Sequence, residues 1–248
     1  SPNIGNTGIV QGGDIAILNI TGTYTLNDPL RIYGASRIQV LDMTGAADHL
    51  KNGFDLGKCK MLRELNMQSS GTGSTGWWLV IGSCRQLRKI NLRNQAQAKT
   101  GSSTSTELDL TNQTKLEELD ARGTQVQSIP FAKGAPLTKA WLPGTLTVLK
   151  LEYLGKLTTG GLTLESYGKV KTLIVDGCPG LNWETLLNRC SGVERIRVTG
   201  IDREDDGTWL NRFVKMGGVD AEGNATDTCA LVGTVYLTNY IEDEKYTA

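Results

Sequence analysis

The chain has 248 residues, of which 39% are hydrophobic and 21% charged, and its 26 basic residues balance its 26 acidic ones. This balance gives no electrostatic reason for binding nucleic acid or an anionic membrane, so we expect neither partner. No apolar run approaches the roughly 18 residues of a membrane-spanning helix, and we expect no membrane insertion.

Residues 1–35 are rich in Gly, Thr and Ile and predict a β cap at the open end of a stack of repeats. Glycine is abundant throughout, since 30 of 248 residues are glycine. That is about 12%, against a typical value of roughly 7%, and it predicts many tight turns.

Residues 36–200 carry a recurring phrase with aliphatic residues at its first, fourth and sixth positions. The clearest copies are Ile38/Leu41/Met43, Leu62/Leu65/Met67, Leu87/Ile90/Leu92, Leu116/Leu119/Ala121, Leu146/Leu149/Leu151, Val170/Leu173/Val175 and Val193/Ile196/Val198. Most begin 23 to 29 residues after the previous one, which indicates one coil of a solenoid per copy. Each phrase predicts a short parallel strand with one buried face. A weak copy at Leu137/Ala140/Leu142 begins only nine residues before Leu146, too close for a full coil.

The cysteines follow the same repeat. Three residues before the first aliphatic position stand Cys59, Cys84, Cys190 and Cys229, while Cys178 falls three residues after Val175. A CxxC pair is absent, so a zinc site would need thiols from different coils. The alternatives are a disulfide between adjacent coils, such as Cys59 with Cys84, or a metal held by a column of thiols. We favour free buried thiols and expect neither a metal nor a cofactor.

The joint leucine and cysteine phrase resembles the leucine-rich-repeat proteins, with irregular, cysteine-bearing repeats like those of bacterial surface proteins and of phage tail or adhesion proteins. The resemblance covers roughly residues 15–198. It implies an α/β solenoid, a right-handed superhelix with one parallel sheet and with short helices and loops on the other side. The chain departs from the common pattern because the asparagine after the strand is mostly missing.

Two segments predict helices outside the strands. In the stretch from Asn182 to Cys190, Asn182 is a candidate N-cap, and Leu186 and Leu187 lie on one apolar face. Trp183 is expected to pack between coils. In residues 201–248 the acidic residues that begin at Asp202 predict the start of a capping helix, followed by a last strand.

Groups that could catalyse a reaction are scarce. The only histidine, His49, lies in a turn between the first two strong repeats, and a histidine-based triad would depend on it. The acidic cluster after Asp202 lacks the spacing of a calcium loop. Gly71 to Gly76 lacks the ending of a phosphate loop. We therefore expect that the protein is not an enzyme.

The third, fifth and seventh residues of each phrase are expected to face solvent. The third-position row alternates in sign through Glu64, Lys89, Glu118 and Lys139, so facing charges can stabilise the sheet without a ligand. Trp141 is an aromatic residue in an otherwise polar row, and it either forms an interface hot spot or is tucked into the core. The predicted ligand-binding residues on this face are Trp141, Arg93, Arg122, Asp120, Lys150 and Glu152.

These features favour a non-catalytic protein-interaction or adhesion module that presents an extended sheet face to a protein or glycan partner. The setting implied by the resemblance is extracellular, on a cell surface or in a virion. One alternative is a purely structural spacer in a phage tail or surface fibre. The other is a carbohydrate-active domain, for which Trp141 and Asp120 are the only candidates.

Overall fold

The chain folds as a parallel β-solenoid of about six turns, seen in a computed structural model. The structure describes residues 9–11, 14–20, 31–33, 35–45, 53–69, 78–96, 98–102, 104–205, 217–220, 224–226 and 230–237. Predictions that concern His49, Cys229 and residues 71–76 lie outside these ranges.

The described residues form seventeen strands and one α-helix, besides a short 3₁₀ turn at Ala35–Arg37. The strands are β1 (Ile9–Gln11), β2 (Ile17–Asn19), β3 (Arg31–Tyr33), β4 (Val40–Asp42), β5 (Gly53–Asp55), β6 (Glu64–Asn66), β7 (Trp78–Val80), β8 (Lys89–Asn91), β9 (Glu118–Asp120), β10 (Lys139–Leu142), β11 (Val148–Glu152), β12 (Leu162–Leu164), β13 (Thr172–Asp176), β14 (Arg195–Asp205), β15 (Gly217–Val219), β16 (Ala225–Thr226) and β17 (Ala230–Leu237). The helix is α1 (Trp183–Arg189).

Most of these strands belong to two sheets. Sheet 1 is entirely parallel and runs in the order β12-β10-β9-β8-β6-β4-β2. Sheet 2 runs in the order β11-β13-β14-β15-β16, with β17 also paired to β14, and only its β15–β16 pair is antiparallel. Strand β2, which falls in the predicted cap of residues 1–35, is one of the two edge strands of sheet 1.

The division into two sheets corrects the prediction of one parallel sheet backed by helices. Strand β10 carries the Leu137/Ala140/Leu142 copy in sheet 1, and β11 carries the Leu146/Leu149/Leu151 copy in sheet 2. The two copies begin only nine residues apart because the chain turns a corner between them, from sheet 1 to sheet 2 of the same coil. Earlier in the chain, short parallel pairs form between β1 and β3 and between β5 and β7. Strands β3, β5 and β7 lie on segments that connect strands of sheet 1, whereas β1 precedes the first of them. The described chain is mostly β.

One hydrophobic cluster, which extends from Leu18 to Val198, receives buried side chains from both sheets. In sheet 1 the central residues of neighbouring strands stand in register and form a column in this core: Leu18, Leu41, Leu65, Ile90, Leu119 and Ala140. The burial of these side chains confirms the predicted alternation of apolar and polar positions. A single coil could not exclude water from its apolar face, so stability comes from stacking of neighbouring coils.

Buried polar side chains satisfy carbonyl groups where the chain turns between coils. The Gln95 amide donates to the Met67 carbonyl one coil earlier at 2.7 Å, and the Gln113 amide donates to the Ile81 carbonyl at 3.0 Å. The Cys84 thiol donates to the Leu56 carbonyl at 3.2 Å in the same manner. Because an unpaired buried carbonyl is costly, these donors hold adjacent coils together.

Helix α1 begins as the sequence predicts. Asn182 has an extended backbone, and its side-chain oxygen accepts a hydrogen bond from the Thr185 amide at 2.8 Å. Leu186 and Leu187 are buried, and Trp183 is partly buried against the core, as expected for packing between coils. In this coil the chain forms a helix between β13 and β14, whereas the preceding coil places β12 of sheet 1 between β11 and β13.

The C-terminal part differs from its prediction in one respect. Strand β14 continues through Asp205, so the acidic residues from Asp202 to Asp205 lie in a strand and do not start a helix. The rest of the predicted amphipathic segment lies outside the described residues. Strand β17 lies where the sequence predicts a last strand. Within the described ranges, no helix has the length and apolar character to cross a membrane.

Candidate functional site

A groove of about 330 Å³ crosses the outer face of sheet 1 from β4 to β10. We call it the sheet-1 groove. Its side-chain walls come from Val40, Asp42, Glu64, Asn66, Lys89, Asn91, Glu118, Asp120 and Trp141. These residues are the third and fifth positions of the repeated phrase, which alternate with the buried column. The inward packing of that column therefore sets which residues face the groove.

The third-position row forms as predicted on sheet 1. Glu64, Lys89, Glu118 and Lys139 are direct partners on four neighbouring strands. The Lys139 ammonium lies 3.9 Å from the Glu118 carboxylate, and both side chains are partly exposed. Such pairs contribute a few tenths of a kcal/mol. The row does not continue to Val148, the third position of the next phrase, because Val148 belongs to sheet 2.

The fifth-position row is a ladder of turn-forming side chains. Asp42 Oδ1 accepts hydrogen bonds from the Thr44 backbone amide at 3.0 Å and from the Thr44 hydroxyl at 2.7 Å. Asn66 Oδ1 accepts from the Gln68 backbone amide at 3.2 Å, and Asn91 repeats this bond with the amide two residues on. Each side chain thus ends its strand with a local turn, which aligns the row from coil to coil.

Trp141 lies at the end of the groove and faces outward. Its neighbours in β10, Ala140 and Leu142, are buried, whereas Trp141 itself is half-buried. The Arg122 guanidinium lies 5.6 Å from the centre of the indole ring, and the Lys139 ammonium lies 6.0 Å from it. Both distances lie within the range of cation–π attraction. Of the two sequence-based alternatives for Trp141, the structure therefore selects the outer face.

Asp120 orients the cation beside Trp141. Its two carboxylate oxygens accept from Arg122, Oδ1 from Nε at 2.9 Å and Oδ2 from Nη2 at 2.5 Å. These hydrogen bonds are the main reason that the pKa of Arg122 is raised above its ordinary value. The negative charge of Glu165 raises it further. Planar, two-point pairing of this kind fixes the guanidinium in orientation.

Glu165 belongs to this cluster, although sequence reasoning did not select it. Its Oε2 accepts from the backbone amides of Gly123 at 2.9 Å and Gly144 at 3.3 Å, so it connects two earlier coils. The sequence pattern that could have pointed to Glu165 is the alternation of apolar and polar residues over Leu162–Leu164, directly before it. This segment is strand β12 of sheet 1.

The six predicted ligand-binding residues do not share one surface. Trp141, Arg122 and Asp120 meet on sheet 1, and Arg93 is exposed one coil before Arg122. In the row of Trp141 the direct partners are Asp120 and Thr163. Lys150 and Glu152 lie on β11 in sheet 2, where their charged groups are 3.1 Å apart. They also line a separate cleft of about 300 Å³ beside Phe131 and Lys133.

The four described cysteines, Cys59, Cys84, Cys178 and Cys190, are buried and form no disulfide with one another, which confirms the favoured prediction of buried thiols. Burial raises the pKa of the Cys59 thiol to about 11 and that of Cys84 to about 12, and at high pH repulsion from an ionised Cys59 adds to the second shift. Both thiols therefore remain protonated at neutral pH. Among the described residues, no group of three His, Cys, Asp or Glu side chains is placed to hold a metal ion.

We predict that these four thiols do not react with Ellman's reagent at pH 8 while the protein is folded, because the thiolate is the reacting form and all four are shielded. The prediction does not concern Cys229, which lies outside the described residues. After unfolding in guanidinium chloride without reductant, all five cysteines should react. A plateau of three thiols would instead indicate a disulfide such as Cys59 with Cys84.

The fold defines the class of this protein as a parallel β-solenoid, with a polar groove on the outer face of its larger sheet. Comparison with known proteins finds no matching family model, no significantly similar curated sequence and no significantly similar solved structure.

Proposed function

We propose that this chain is a non-catalytic interaction or adhesion module, and that the sheet-1 groove contacts an extended protein or glycan partner. The observation that carries this proposal is the half-exposed Trp141 at the end of the groove, with Arg122 fixed beside it by Asp120. Aromatic and arginine side chains held in place before binding are typical of interface hot spots.

The leucine-rich-repeat resemblance remains part of this proposal. Gln95 lies three residues after the last apolar position of its phrase, where such repeats usually carry asparagine, and it bonds the backbone of the preceding coil. Cys178 occupies the same position in a later repeat, and its thiol donates to the Leu151 carbonyl at 3.4 Å. These residues supply the coil-to-coil bonds of an inward asparagine ladder. The proposed setting, a cell surface or virion, follows from the same resemblance.

A role without catalysis is supported by the arrangement of Asp120. The carbohydrate-active alternative needs a carboxyl group that can exchange a proton or attack a sugar. Both oxygens of Asp120 already accept from the Arg122 guanidinium, so this carboxylate acts as an orienting group. The spacer alternative predicts that the groove has no partner, and it is tested by the same experiment as the binding proposal.

We predict that Trp141→Ala weakens partner binding at least about tenfold, because it removes the aromatic contact at the end of the groove. Binding would be measured on a glycan array and in pull-downs with identification of captured proteins by mass spectrometry. The matched control is Tyr153→Ala. Tyr153 is another exposed aromatic residue, with the Lys133 ammonium 5.1 Å from its ring, but it does not line the groove. A partner retained equally by both variants, or no partner for the wild type, would contradict the proposal.

A further inference from the structure

The amide side chains in the middle of the sheet-1 groove have unused hydrogen-bonding capacity. The Asn66 side chain donates one hydrogen bond to the Thr44 hydroxyl at 3.0 Å and accepts one from the Gln68 backbone. The Asn91 side chain donates to Gln68 Oε1 at 3.3 Å and accepts one from the Arg93 backbone. An asparagine amide has two N–H donors and two acceptor lone pairs. Each amide is therefore held in place and still offers one donor and one acceptor.

Charged groups beside these amides add further donors and acceptors. Asp42 takes its local hydrogen bonds through Oδ1, which leaves Oδ2 for a ligand. Within the described part of the chain, no ion pair engages Glu64 or Lys89, although they face each other across β6 and β8. The third-position row thus alternates acceptors and donors from strand to strand, and the usual spacing of neighbouring strands is about 4.8 Å.

The charges of the groove nearly balance. The carboxylates that line it are Asp42, Glu64, Glu118 and Asp120, and the cations at or beside it are Lys89, Arg122 and Lys139. Such a surface has no strong field of one sign to attract a polyanion or a highly basic peptide. The backbone groups of its floor are also paired with neighbouring strands, so a peptide cannot bind here by adding a strand.

We propose that the sheet-1 groove binds an uncharged, linear polysaccharide that lies across β4 to β10. This inference rests on the proposed function, and it names the partner class. Sugar hydroxyls both donate and accept, so neighbouring hydroxyls match a row of fixed amide and carboxylate groups with spare donors and acceptors. The C–H face of a sugar ring is apolar and packs on the exposed part of Trp141. Five strands span about 19 Å at the usual strand spacing, which accommodates several sugar units.

The test is calorimetric titration of the purified chain with soluble neutral polysaccharides, namely a β-glucan, a xylan and a mannan, and with polygalacturonate and chitosan as charged comparisons. We expect at least one neutral polymer to bind with little dependence on salt concentration. Trp141→Ala should abolish this binding, and Asn91→Ala should weaken it about tenfold, since hydrogen bonds from one fixed amide are lost.

The matched control for Asn91→Ala is Asp55→Ala. Asp55 Oδ1 accepts from the Gly57 backbone amide at 2.7 Å, so this change removes the same kind of turn bond, but outside the groove. Asp55→Ala should leave the affinity unchanged, and circular dichroism would verify that each variant is folded. Equal weakening by both changes would overturn the inference.

The remaining outcomes separate the inference from the proposed function. Salt-sensitive binding of only the charged polymers would overturn the choice of an uncharged ligand. If no polysaccharide binds but an identified protein partner is lost with Trp141→Ala, the glycan inference fails while the interaction function stands. If neither class binds, both fail and the spacer alternative remains.

Discussion

Replacing Leu119 by alanine should lower the free energy of unfolding by about 2–5 kcal/mol. Leu119 is fully buried in β9, between Ile90 of β8 and Ala140 of β10 in the column that lines the core. The change removes apolar contact with the coils on both sides and leaves a cavity that stacked strands cannot easily close. Urea denaturation followed by circular dichroism would measure the loss.

The control for Leu119→Ala is Glu118→Ala, one residue earlier in the same strand. Glu118 faces the groove, and the ion pair that it forms with Lys139 is long and partly exposed. We expect this change to cost less than about 1 kcal/mol. Similar losses for the two variants would contradict the assignment of inward and outward positions in β9.

Replacing Gly161 by alanine should cost about 3 kcal/mol, because two coils approach each other at this residue without room for a side chain. A Cβ atom at Gly161 would come within 2.1 Å of the Thr138 carbonyl oxygen in the preceding coil. The obstacle is backbone, so the coils themselves would have to separate. That movement would strain the hydrogen bond from the Ala140 amide to the Gly161 carbonyl, now 2.8 Å long. Denaturant titration would measure the cost.

Gly160 provides an internal comparison for Gly161→Ala. A Cβ atom there would meet only the Thr158 hydroxyl oxygen, at an ordinary contact distance of 4.0 Å. Gly160→Ala should therefore remain within about 0.5 kcal/mol of the wild type. A large loss from Gly160→Ala, or none from Gly161→Ala, would show that the coils do not stack as described.

The individual strands and the start of helix α1 could be predicted from the sequence, because they depend on residues close to one another in the chain. A strand with one buried face needs apolar residues at alternate positions, so the phrase around Leu65 or Leu119 marks a strand without knowledge of its neighbours. The Asn182 side chain caps α1 by accepting a hydrogen bond from an amide only three residues later, so this N-cap could also be recognised from the sequence. The burial of Cys59, Cys84 and Cys190 followed from the place that they share in the repeat.

The candidate site was only partly predictable, because it depends on contacts between distant residues. Sequence spacing singled out Trp141 but could not say whether its ring faces the core or the solvent. Its position opposite Asp120 and Thr163 comes from strand pairing across more than twenty residues. Glu165 joins the cluster by hydrogen bonds to Gly123 and Gly144, and no local pattern predicts such bonds.

The sequence by itself determined that the chain stacks short parallel strands, that the aliphatic phrases face a common core, and that the four described cysteines lie inside it. Only the tertiary structure decided which sheet each phrase joins. The phrases of Leu137 and Leu146 have the same apolar period, because burial on either sheet requires the same alternation. The corner between β10 and β11 separates Lys150 and Glu152 from Trp141, and it is set by the packing of successive coils around one core.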